Sequence, residues 1–340
     1  MLFDKYFNGT KDLKEQIGFL YADVEYDNLK IYLDLAKRDV LKIIGKPIYD
    51  LALAFYKSPI FDQNDETDQP DMFHLVKRIQ MPIALLAYRK YAPGADLAHS
   101  DNGRQITVTD QVKPAFEWMI ARDNANITAL AYEAIDFLLE FLEEQLVPVV
   151  GPDFAGITPP AAVSTLGLAW AATPEFLNTK SLFINSAREF DKYFPINQSR
   201  QFYMTVVPFI REAEIRHLRP ILLKAFYETI IERIKDGDST AADLEIINLS
   251  RPSLAMLTMS VALTRLSMEV LPDGIFQNFT AGITKQSNTA NSMDRRALAL
   301  HFETEGLRLL KPVQLAVTML AAELPIVEEI TDPKQPYFIA

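Results

Sequence analysis

The sequence predicts a mainly α protein built as two tandem helical modules of similar topology, with little or no β structure. Three observations predict it. Apolar residues recur at intervals of three and four along most of the chain, strand signals are scarce, and the same landmarks return about 170 residues later.

The first module spans residues 1–146. Leu29, Leu33, Ala36, Val40, Ile43 and Ile44 share one face of a helix over Asn28–Ile44. Asp27 is placed to cap it, Gly45 to end it in a left-handed turn, and Pro47 to open the next helix, Ile48 to about Tyr56. A third helix runs from about Pro70 to about Tyr91, and Pro82 inside it predicts a kink. Ser100-Asp101-Asn102-Gly103 is a turn signal, and Ile106-Thr107-Val108 reads as a very short strand. The longest helix is expected from about Thr109 to Gln145, with Thr109 or Asp110 as cap. Its apolar stripe holds Ala131, Ala134, Ile135, Leu138, Leu139 and Leu142.

Residues 147–180 change character. Pro148, Pro152, Pro159, Pro160, Pro174 and three glycines rule out a long helix. Val149, Leu166 and Trp170 suggest an ordered arm or linker lying on a surface. Module 2 covers 181–324, and a Pro-rich tail covers 325–340. Pro47, Pro82, Gly103 and Ala131 are echoed by Pro220, Pro252, Gly274 and Ala299, 168 to 173 residues on. An internal duplication explains four such echoes, and each copy is long enough to hold its own core.

The formal charge is −11. Residues 1–146 contribute −8 of it, with 16 basic and 24 acidic side chains, so the first module is the acidic one. Such a balance disfavours non-specific binding of nucleic acid. Cysteine is absent, which excludes disulfides, zinc–thiolate sites and cysteine nucleophiles. No apolar run reaches a bilayer-spanning length, and the N-terminus lacks an apolar signal core. No catalytic, cofactor or metal site is expected. His74, His99, His217 and His301 have no i,i+4 partner among themselves. The acidic run Asp62–Asp71 fails the calcium-loop pattern at Thr67 and Phe73. Glu143-Glu144 and Glu328-Glu329 point in different directions on a helix and read as surface charge. No phosphate-cradling glycine loop and no nucleophile elbow is present.

The residues singled out are therefore interface candidates. Arg211, Arg216 and Arg219 form a basic cluster among carboxylates, which points to ion pairing within or between subunits. Phe190, Tyr193 and Phe194 cluster beside the Pro-rich segment, where core packing and interface anchoring both apply. Trp170 in the arm, and Tyr337 and Phe338 in the tail, are candidates for reaching a neighbouring subunit.

Two phrases carry a resemblance. Leu35-Ala36-Lys37-Arg38-Asp39-Val40-Leu41-Lys42-Ile43-Ile44-Gly45-Lys46-Pro47-Ile48-Tyr49-Asp50 resembles the opening helices of an uncharacterised family of Bacteroidetes genomes and their phages. Leu182 to Asn197, followed by Ser199-Arg200, is similar to the same family. The layout of one module resembles small head–tail connector (head-completion adaptor) proteins of tailed phages. That resemblance implies a helical, non-enzymatic virion protein that forms a ring under the portal. The partners it implies are further copies of the chain and portal or tail proteins. It implies no cofactor, no membrane, no small-molecule substrate and no specific nucleic-acid binding, and it implies a place near a DNA channel for the acidic module. The implied location is the virion or the bacterial host cytoplasm. Two other readings stay open: a non-viral helical interaction module, and an enzyme with an unrecognised helical site.

Overall fold

The computed structural model describes residues 1–5, 10–18, 26–62, 69–95, 98–100, 103–105, 116–148, 162–266, 268–271, 274–277 and 292–323. The fold is mainly α. After a short α1 (Thr10–Gln16), α2 (Tyr26–Lys57) and α3 (Pro70–Ala95) pack along each other. A hairpin of β1 (Ala98–Ser100) and β2 (Gly103–Gln105) leads to α4 (Glu117–Glu144), which lies on the other side of α3. The buried residues of α2 include Leu29, Leu33, Ala36, Val40, Ile44 and Ile48, spaced three or four apart as a helical face requires. Asp27 lies within the first turn, where its charge favours the free N–H groups.

The break in α2 falls on Gly45, as its composition predicts, but not as a left-handed cap. Its backbone sits at φ 78, ψ 157, a region open almost only to glycine. A side chain there would also meet Glu175, whose Oε2 lies 2.5 Å from the position of a Cβ.

The long fourth helix begins later than its sequence suggests. Phe116 precedes Glu117 with no side-chain cap. Thr109, Asp110 and the short strand expected at 106–108 lie outside the described residues. The strands flank the predicted turn instead: Ser100 pairs with Gly103, and antiparallel β3 (Met268–Leu271) and β4 (Gly274–Gln277) close in the same way at Leu271 and Gly274.

Half of the expected arm is a correction. Residues 149–161 lie outside the described residues, but 165–180 form two short helices packed against α2. These are α5 (Thr165–Ala171) and α6 (Pro174–Lys180), capped by the hydroxyls of Ser164 and Thr173. Leu166 and Trp170 belong to the first core, so this stretch completes that core and does not extend away from it.

A second core follows. It is built from α7 (Ala187–Asp191), α8 (Arg200–Ala213), a π-helical turn (Glu214–Leu218), α9 (Arg219–Leu222), α10 (Lys224–Asp236), α11 (Ala241–Arg265), α12 (Ser292–Leu309) and α13 (Lys311–Glu323). α11 is the central helix, packed on α8, α12 and α13. It is long and apolar enough to cross a membrane by length and composition, contrary to the sequence expectation, and most of that window is buried in this core. Its start carries a reciprocal capping box between Thr240 and Asp243.

The element order helix, helix, hairpin, helix thus occurs in both halves. α3 and α11 start 171 residues apart, at Pro70 and Ala241, and the hairpins close at the same separation. Met204 on α8 packs against both cores.

Candidate functional site

The halves meet through a row of carboxylates on α4. Asp136, Glu140 and Glu143 follow at i, i+4 and i+7, so they share one helix face. That face meets the first turn of α8. Arg200 donates from Nε to Glu143 at 3.0 Å and from a terminal nitrogen to Glu140 at 3.2 Å. The Gln201 backbone N–H donates to Asp136 at 2.7 Å. α8 is therefore capped twice, by its own Ser199 hydroxyl on Phe202 N and by a carboxylate from the other half. Burial pushes the Glu143 carboxyl above the usual carboxylate range, and the Arg200 guanidinium opposes that shift without cancelling it.

Beside this row lies a cleft of about 360 Å³. The end of α4, α5, α6, the segment before α7, and α8 all contribute to it. Trp170 and Phe176 line it with their rings 5.8 Å apart and tilted by 58°. Tyr203 also lines it and donates its hydroxyl to the Ile184 carbonyl at 2.8 Å. Ser164 ties α5 to the last turn of α4 by donating to the Gln145 side chain at 2.8 Å.

A second polar centre sits inside the other core. Glu214, on the π-helical turn, has no exposed surface. It accepts from Phe183 N at 2.7 Å and from the Tyr227 hydroxyl at 2.9 Å. Burial raises its carboxyl to about 7, against the lowering pull of those two bonds and of Arg211.

The third feature is a helix face that no side chain among the described residues covers. The first ten residues of α4 bury no side chain; the first to do so is Ile127. Phe116 and Trp118 are 66% and 55% exposed, and Met119, Tyr132 and Phe137 are exposed as well. Between Trp118 and Tyr132, Ala121, Ala125, Thr128 and Ala129 floor a shallow groove edged by Arg89.

The sequence-derived candidates divide accordingly. Trp170 and Phe190 are core residues, so their role as anchors for a neighbouring subunit is corrected: a buried ring offers no face to another molecule. Tyr193 and Phe194 pack partly buried on the second core, and Phe194 meets Phe302 edge to face at 5.4 Å. Arg211 donates to the Asn178 carbonyl and Arg219 pairs with Glu228, both within the chain. Arg216 is exposed. Tyr337 and Phe338 lie outside the described residues. Among the described residues, no three His, Asp or Glu side chains cluster as metal ligands would.

Sequence reasoning missed the α4–α8 junction and Glu214. The i, i+4, i+7 spacing of Asp136, Glu140 and Glu143 was the available signal for the first. Nothing in Arg211-Glu212-Ala213-Glu214-Ile215-Arg216 marks the second of its two glutamates as buried.

Comparison with curated proteins gives no match, and comparison with solved structures gives none. One family model, described as a family of unknown function (DUF6712), matches residues 41–147. The matched stretch takes in the later part of α2, α3, the first hairpin and α4, so what this chain is similar to is the helical unit of its first half.

Proposed function

We propose that this chain is a structural component of a tailed phage or prophage virion, a head–tail connector or neck protein that works by ring assembly and protein–protein contacts. The observation that carries the reading is the exposed face of α4. Burying a large aromatic side chain is worth about 1.5–3 kcal/mol, and interfaces concentrate aromatic residues at their centre. Trp118 and Tyr132, 14 residues apart and so on nearly the same helix face, keep that area in solvent, and Phe116 is exposed just before the helix begins. A closed cyclic assembly would cover such faces on every copy. Two cores in one chain give each copy two bodies with which to meet its neighbours. Portal or tail proteins are the further partners, and the location is the virion or the host cytoplasm. The acidic first half suits a place near passing DNA, because like charge discourages adhesion to phosphates.

A non-viral interaction module working as a monomer or dimer would use the same face. Analytical ultracentrifugation separates the readings. The expected result is a species many times 38.5 kDa, alone or with the portal protein of the same genome, that Trp118→Asp reduces to single chains. A monomer or dimer under both conditions would remove the connector reading.

A further inference from the structure

The chain exposes a second apolar surface, in its other half. α11 and α13 pack on each other and leave a groove of about 350 Å³ between them. Ile246, Leu249, Pro312, Leu315, Met319 and Leu320 line it. Leu315 and Met319, at i and i+4 on α13, are 59% and 58% exposed and form a ridge along it. Among the described residues its one charged lining side chain is Glu245, and the groove on α4 likewise has one, Arg89. Neither of the two is ion-paired among the described residues. α4 packs mainly on α3, α5 and α8, and α13 on α9, α11 and α12, so no described element of the chain fills either groove. The α4 surface is also continuous with a contact already made. Trp118, Ala125, Ala129 and Tyr132 share one helix face with Asp136, Glu140 and Glu143, and that far end of the stripe meets the second half of the chain.

We propose that the α4 face of one copy is covered by the α11–α13 groove of a second copy, head to tail. The stripe that joins the two halves within a chain joins, at its free end, the second half of a neighbour. The ridge of Leu315 and Met319 settles on the small floor of Ala121, Ala125 and Ala129, and Trp118 enters the groove beside it, as ridges fill grooves between packed helices. Arg89 then faces Glu245, so the one charge on each rim meets its opposite. The two surfaces differ and lie in different halves, so the contact is heterologous: every copy offers both, and repetition closes into a ring when the rotation allows. This inference rests on the ring reading above and adds which surface of the neighbour covers α4.

Charge reversal tests the pairing by analytical ultracentrifugation. Arg89→Glu and Glu245→Arg, each alone, should weaken self-association at least tenfold, because each sets like charges against each other. An equal mixture of the two should restore it, since alternating copies put an arginine against a glutamate at every contact. The chain has no cysteine, so a second measurement serves if a charge variant fails to fold by circular dichroism. Ala125→Cys and Met319→Cys in one chain should give, on oxidation, a ladder of covalently joined chains that neither single variant gives. Self-association unchanged in both charge variants, or a mixture that stays as weak as its parts, overturns the inference and leaves the ring reading standing. A covalent dimer formed as readily by Ala125→Cys alone puts α4 against α4 and overturns it too. A parent chain that stays single, alone and with the portal protein, overturns both readings.

Discussion

In the first half the leading helix breaks at Gly45; in the second the break falls on Leu223. The backbone angles are nearly the same, φ 78, ψ 157 against φ 63, ψ 147. Glycine enters that region freely, whereas leucine does so at roughly 1–3 kcal/mol. The surroundings differ too. Glu175 packs against Gly45, while the π-helical turn and its buried Glu214 lie just upstream of Leu223. From break to next helix the first half takes 25 residues (Gly45 to Pro70) and the second 18 (Leu223 to Ala241). The surplus falls in the connection 58–69, against 237–240, and that connection contains Asp62, Asp65, Glu66 and Asp68. The lesson is one of placement. The first half carries its extra charge in a connection between helices, and the second holds a carboxylate and a strained backbone inside its packing.

The largest expected effect is in the first half. A Cβ at Gly167 would stand 2.0 Å from the Gln145 carbonyl oxygen, so Gly167→Ala must push α5 off the end of α4. A loss of about 3 kcal/mol is expected, the upper end of overpacking. Both tryptophans, Trp118 and Trp170, lie in the first half, so their fluorescence should lose stability more than the whole-chain circular dichroism does. Coincident transitions with an equal shift would mean that the halves unfold as one.

Glu214→Gln tests the second half. In the folded chain the Glu214 carboxyl titrates at about 7, above its ordinary 4.5. The folded state therefore binds the proton more tightly than the unfolded one. The parent should lose stability as pH rises from about 4.5 to 7 and hold the lower value above that. Glutamine escapes this penalty. The expected gain is nil at pH 4 and up to about 3 kcal/mol at pH 8, read from urea midpoints at both values. A gain independent of pH would dissociate the effect from titration.

The smallest effect belongs to Leu223→Gly. The side chain is 70% exposed, so little packing is lost. Relief of the backbone should outweigh the added freedom of the unfolded chain by about 1 kcal/mol. A thermal midpoint that falls would show that the strain is not borne at this residue and that the contrast with Gly45 is superficial.

The sequence made the helices readable because burial on one face forces a spacing of three or four, as Leu29 to Ile48 display. The turns at 101–103 and 272–274 were readable because their residues favour tight reversals, and the hairpins close there. The start of α4 was not, since Glu117 follows an uncapped Phe116 and no local residue announces it. The junction of the halves was hidden for another reason. Arg200 and Glu143 are 57 residues apart, and charge pairing over such a distance leaves no periodic trace. Trp170 misled because a Pro-rich neighbourhood looks exposed until the short helices around it are folded onto α2.

The carboxylate row on α4 also sets an order of events during translation. Asp136, Glu140 and Glu143 leave the ribosome well before Arg200 and the start of α8 that bond to them. At about 5–20 residues per second the lag is roughly 3–11 s. For that interval three like charges lie along one ridge without the bonds from α8. The nascent first half therefore waits, its last ridge self-repelling, until the second half delivers the guanidinium that locks the seam.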